Sequence, residues 1–123
     1  LDGKKPSTTK LEQQWDYLFV EDLIAALVLV GEKGIPGSVY PVGSGVFRPL
    51  AEYITTLRDK IDPALPLGIG EVPYKTAKID HSIIDISLLQ RDTGFMPAVS
   101  FEEGIEKTIA YFKSLRENKP PEQ

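Results

Sequence analysis

The sequence predicts a small α/β domain with an α+β character: a short, partly parallel sheet of about three strands, with about four helices. Three observations lead there. Short runs of aromatic and β-branched residues alternate with apolar residues at helical spacing. Glycine and proline turns punctuate the alternation. The length, 123 residues, fits one domain and leaves no room for two ordinary ones. Strands that alternate with helices favour right-handed crossovers and a parallel pair. Parallel sheets prefer cover on both faces, which so few helices do not supply. The pattern therefore implies a surface that something else must cover.

Residues 1–14 read as a flexible lead, holding Lys4, Lys5, Pro6 and Lys10 with little apolar periodicity. Residues 15–115 form the domain, and 116–123, with Pro120 and Pro121, a fraying tail. Tyr17–Val20 is the first expected strand, an aromatic and β-branched run. Asp22 is placed to cap the helix that carries Leu23, Ile24, Leu27, Val28 and Val30, by accepting from first-turn N–H groups. Gly34 is its expected left-handed stop. Ser38–Val42 is the second strand, kept short or at an edge by Pro41, which has no N–H to donate.

After the Gly43-Ser44-Gly45 loop, Pro49 suits the first turn of a helix striped by Leu50, Tyr53, Ile54, Leu57 and Ile61. Asp62-Pro63 breaks it, Pro66–Ile69 is the third strand, and 70–82 loops across the surface. Asp85 caps a short helix through Leu88 and Leu89 that Gly94 ends. Ser100-Phe101-Glu102-Glu103 is a capping box opening a last helix lined by Phe101, Ile105, Ile109 and Phe112. The helix near Leu23 is apolar over much of its circumference, since Ala25 and Ala26 fill its sides. Such a helix expects burial on more than one side. A domain standing alone would expose that face and self-associate.

Composition narrows the function. The chain has no cysteine, which excludes a disulfide framework, thiolate metal sites and a thiol nucleophile. The formal net charge is -4, so the chain lacks the basic balance that sequence-independent nucleic-acid binding needs. The longest apolar run, Leu23 to Val30, is eight residues, where a bilayer span needs about twenty. A cytoplasmic protein with no nucleic-acid or membrane partner is expected. The first residue is Leu, which fits a processed chain or a piece of a larger one.

Catalytic constellations are thin. His81 is the single histidine, and without a G-x-S-x-G elbow it reads as structural rather than as part of a Ser/His/Asp triad. Asp80, His81 and Asp85 match no strong metal spacing. Gly43-Ser44-Gly45 could hold a phosphate at a helix start, although it is neither G-x-G-x-x-G nor a P-loop. Arg48 sharpens the point. A cation does not suit a helix N-terminus and is better explained by an anion nearby.

The run from Trp15 to Asp22, the apolar helix, then Gly37 to Gly45 and a second helix resemble the C-terminal half of extended short-chain dehydrogenases, the NAD-dependent epimerases and dehydratases of nucleotide sugars. Asp85-Ile86-Ser87, Thr93-Gly94-Phe95-Met96-Pro97, Ser100 to Ile105 and Thr108 to Tyr111 are similar to that family's closing motifs, in the same order. The resemblance implies a substrate-binding part. It implies NAD(P) for the parent enzyme and none bound by this chain alone. The family's glycine-rich loop and its Tyr-x-x-x-Lys pair belong to an N-terminal Rossmann half that is missing here. Tyr74 with Lys78 is a formal match, placed downstream of where that pair sits. No catalytic or metal residue is expected in this chain.

Its implied partners are a nucleotide-diphosphate sugar and the Rossmann half. The substrate-binding candidates are Trp15, Ser44, Arg48, Tyr74 and Lys75. Trp15 stands where the family often has an Arg on the diphosphate. Pro73-Tyr74-Lys75 resembles a Pro-Tyr-Arg form, with a point charge in place of a bidentate fork. The competing expectation is a free-standing α/β binding or interaction module without catalysis.

Overall fold

The computed structural model of the chain describes residues 1–74 and 84–117. Among them, helices α1 (Val20–Lys33), α2 (Leu50–Ile61), α3 (Ser87–Thr93) and α4 (Phe101–Glu117) set the architecture. α1 packs on α3, and α2 on α4. The mixed α/β class is as expected, and the sheet is not. Strand β1 (Gln14–Trp15) pairs antiparallel with β2 (Arg48–Pro49), setting Trp15 opposite Arg48. The pairing continues as Leu50 N–H donates to Gln13 O (2.8 Å) and Ala51 N–H to Leu11 O (3.1 Å).

The expected partly parallel sheet of three strands is thus corrected to two antiparallel strands. The parallel element is a single bridge, Ser7 to Gly68, where Thr8 N–H donates to Gly68 O and Gly68 N–H to Pro6 O, both at 2.9 Å. The physical reason lies in the packing. Tyr17–Phe19 and Ser38–Val42 are strand-like in composition, but they form no ladder and serve the core through Leu18, Tyr40 and Val42. Leu18, Tyr40 and Val42 pack against buried Ala26, Leu89 and Phe95. The Tyr40 hydroxyl accepts from Ile35 N–H (2.8 Å) and donates to Asp92 Oδ2 (2.9 Å). Period and composition report burial of an extended chain, and they do not report who pairs with it.

Helix ends follow the expectations unevenly. Gly94 closes α3 in the left-handed region (φ 72°). Asp85 Oδ1 accepts from Ser87 N–H (2.9 Å), and Ser100 Oγ accepts from Glu103 N–H (3.2 Å). Gly34 ends α1 in an extended conformation (φ -62°), not a left-handed one. Pro49 stands just before α2 rather than in its first turn. The largest departure is Asp22. The helix already starts at Val20, and Asp22 is buried inside it. Its carboxylate accepts from Ala98 N–H (3.1 Å) and Val99 N–H (2.9 Å). It satisfies a distant loop instead of its own helix.

The core is small. Leu89 and Phe95 are the largest side chains that are wholly buried. Leu11, with a left-handed φ of 57°, is buried as well. That conformation is unfavourable for a residue with a Cβ, and burying the leucyl group offsets it. α1 shows the opposite balance. Val20, Leu23, Ile24, Leu27 and Val28 all face solvent, with Ile24 56% and Leu27 59% exposed. Their spacing is one unbroken helical face. The last helix buries Ile109 and leaves Phe112 half exposed.

Asp22→Ala strands two backbone donors, and its expected cost is about 3 kcal/mol. Urea unfolding checks this. A loss below about 1 kcal/mol would mean that water replaces the carboxylate.

Candidate functional site

Two carboxylates shape the site. Asp16 follows β1 directly. Its Oδ1 accepts from Ser44 N–H (2.9 Å) and the Ser44 hydroxyl (2.6 Å), and its Oδ2 accepts from Gly45 N–H (3.0 Å). The loop that was a phosphate candidate is therefore closed around an anion of its own chain. A Cβ at Gly43 would stand 2.6 Å from Asp16 Oδ2, and Gly45 has a φ of 76°. Both positions require glycine for this close approach. Asp22 does the same for residues 98 and 99 on the other side.

Between these walls lies a cleft of about 410 Å³, whose lining includes Tyr17, Ser44, Arg48, Tyr53, Met96 and Phe101. Its floor is aromatic. The Tyr53 ring meets Tyr17 at 4.9 Å and Phe101 at 4.5 Å, both edge-on. Burial pushes the phenols of Tyr17 and Tyr53 above the ordinary tyrosine range. The Arg48 guanidinium lies over the Tyr53 ring at 5.6 Å, and its Nη1 donates to Glu102 Oε1 at 2.7 Å. The anion expected beside Arg48 is thus supplied by α4. The pair lifts Arg48 further and holds the Glu102 carboxyl below the usual range. The folded-state value of Glu102 is depressed. Its contribution is therefore present above the ordinary glutamate range and is lost as pH falls through the lowered value. With both side chains about a third exposed, the pair is worth about 1 kcal/mol or less.

The sequence-predicted residues separate into three groups. Ser44 and Arg48 line the cleft. Trp15 lies beside it, opposite Arg48 in the sheet, with its ring 6.2 Å from that of Tyr17. Tyr74 is turned to the run into β1, donating to Gln13 Oε1 (3.0 Å) and accepting from Glu12 N–H (3.2 Å). Lys75, Lys78, Asp80 and His81 lie outside the described residues. Sequence reasoning missed Tyr53 and Glu102, which it assigned to a helix stripe and a capping box. The one usable signal was the cation at the start of α2, which asked for an anion without saying which.

The glycine turn at 43–45 presents a bound carboxylate where a pyrophosphate would need empty N–H donors. Among the described residues no group of His, Cys, Asp and Glu could hold a metal ion. No helix among them is long and apolar enough to cross a membrane.

No family model matches the chain. Individual proteins do, in sequence and in fold. A dTDP-glucose 4,6-dehydratase of Escherichia coli is 33% identical over 116 residues, covering 86% of this chain and 32% of that protein. A UDP-glucose 4-epimerase of Thermotoga maritima, solved with UDP-glucose, superposes with a TM-score of 0.83 at 25% identity, covering 93% of this chain and 36% of the epimerase. A dTDP-glucose 4,6-dehydratase of Bacillus anthracis, solved with NAD, shares the fold with a TM-score of 0.81 at 20% identity, over 95% of this chain and 37% of that one. The matched proteins are nucleotide-sugar dehydratases and epimerases of the extended short-chain dehydrogenase/reductase class. The chain matches a C-terminal part of such an enzyme and spans about a third of the length of the curated relatives.

If Asp16 organises this wall, Asp16→Ala should speed amide exchange at Ser44 and Gly45 by about tenfold or more, the loss of about 1.4 kcal/mol of local protection. Hydrogen-exchange NMR reads it. Unchanged rates at both amides would show that the loop holds itself.

Proposed function

We propose that this chain is the nucleotide-sugar-binding part of an NAD-dependent epimerase or dehydratase. The cleft beside Arg48 takes the phosphates of the nucleotide-diphosphate sugar, and another part of the enzyme supplies NAD(P) and the catalytic residues. The supporting observation is the joint match, in sequence and in fold, to about a third of enzymes of that kind. That partial coverage also weighs against a free-standing binding module. Arg48 and Ser44 stand at the phosphates. Trp15, in β1, is assigned to stacking on base or sugar. Tyr74 and Lys75 complete the set, with Lys75 as a point charge on the phosphates. The apolar face of α1 is the surface assigned to the Rossmann half. A cytoplasmic location accords with this reading.

Titration of the chain with UDP or dTDP, followed by NMR, tests the site. Shifts are expected at Ser44, Arg48 and residues 96–101, and Arg48→Ala should weaken binding about tenfold, the loss of one charge-assisted contact. NAD at the same concentration should leave the spectrum unmoved. Nucleotides that leave the cleft unshifted while NAD shifts it would reverse the assignment.

The same reading makes the α1 face sticky when its cover is absent. Sedimentation at high concentration should show self-association that the double substitution Ile24→Glu and Leu27→Glu abolishes. A strictly monomeric chain that binds no apolar dye would remove this surface from the proposal.

A further inference from the structure

We propose that Glu102 is a positioning residue for Arg48. It holds one edge of the guanidinium so that the remaining N–H groups present a fixed donor array to a phosphate in the cleft. The inference rests on the reading that this cleft takes phosphate.

Three observations carry it. Arg48 is the one Lys or Arg in the lining among the described residues, and Glu102 is not part of that lining. The carboxylate engages a single guanidinium nitrogen, Nη1, at 2.7 Å. A guanidinium carries five N–H donors in a rigid fork, so Nε and Nη2 remain for a second anion. The plane of the fork is restrained by the Tyr53 ring beneath it, and Tyr53 is itself buried against Tyr17 and Phe101.

Glu102 is in turn fixed by the packing of α4 on α2. One helical turn on, Glu106 pairs with Lys60 near the other end of α2. Glu102 thus reaches from α4 to a residue just before α2 and holds the long side chain of Arg48 there, while Glu106 makes a separate pair. A long side chain held in this way loses little rotamer freedom when its ligand arrives, and that is how preorganisation raises affinity. The opposite possibility is a carboxylate that competes with the ligand for Arg48. The two differ in the sign of one measurement.

The test is titration of the full chain with inorganic pyrophosphate, and separately with UDP, read at the Arg48 Nε–H resonance. Glu102→Ala should weaken pyrophosphate by about fivefold, through restored side-chain freedom. Glu102→Gln, which keeps an acceptor oxygen, should stay within about twofold of the parent. Glu106→Ala breaks the neighbouring staple without touching Arg48 and should leave affinity unchanged. Binding by Glu102→Ala that equals or exceeds the parent overturns the inference and makes the carboxylate a competitor. Equal losses in Glu102→Ala and Glu106→Ala also overturn it, since the effect is then general to the α2–α4 packing. A resonance that pyrophosphate never moves overturns it outright. Pyrophosphate binding with the expected pattern, joined to no response to UDP, leaves this inference standing while the nucleotide reading fails.

Discussion

Asp16 and Asp22 lie close together in one short segment, and each spends its carboxylate on backbone N–H groups far away in the chain. Asp16 reaches forward to the loop before α2, and Asp22 to the loop before α4. Hydrogen bonds to an ionised acceptor are the stronger kind, and a buried donor that loses its acceptor carries the full desolvation cost. Those two contacts fix where the 43–46 and 96–101 walls stand relative to one another. The cleft is the space they leave. Arg48, Tyr53 and Phe101 then follow from helices whose starts are set by those loops. A chain with so small a core needs such ties, because the packing of Ala26, Leu89 and Phe95 holds α1 to α3 and does not reach the wall that carries Arg48.

Much of this was legible in the sequence, and the illegible part has a common cause. The positions of α2, α3 and α4 are written in periodicity and in caps such as Asp85, Ser100 and Gly94, all of which act within a few residues of themselves. What the sequence misassigned acts over long range. Asp22 has the residue type and place of a helix cap, and local reasoning gives it that role. Only the fold brings Ala98 and Val99 within reach. Two of the three expected strands failed for a related reason, and the third, Pro66–Ile69, is reduced to the parallel bridge at Gly68. Tyr17–Val20 and Ser38–Val42 carry the composition of strands, with Leu18, Tyr40 and Val42 packed on the core, while the ladder that exists joins Gln14–Trp15 to Arg48–Pro49, where Gln, Arg and Pro have little strand character. Its register depends on turns that no local pattern encodes.

The site was legible to the same depth. Arg48 and Ser44, which line the cleft, stood out because each breaks a local expectation, a cation at a helix start and a small polar residue between two glycines. The phosphate-loop expectation for 43–45 met a different outcome, since the N–H groups that would hold a ligand hold Asp16. This turn keeps the backbone shape of an anion site and uses it for architecture. The side chain of Arg48 stands apart from that turn, in a cleft walled by aromatic rings, with about a third of its surface still open to solvent.

The exposed face of α1 follows from the same division of labour. Asp22 and Ala26 point inward and are buried, while Val20, Leu23, Ile24, Leu27 and Val28 occupy the outer face. A surface helix of a self-sufficient domain would carry charge there. Here the charge is confined to Glu21 at the start and to Glu32 and Lys33 at the end. The helix that anchors the cleft wall through Asp22 is thus also the helix whose outer side is built for burial. Whatever covers that side bears on the same rigid element that positions residues 98 and 99. A partner on α1 and a ligand in the cleft would therefore share one helix, with Asp22 as the physical link between them.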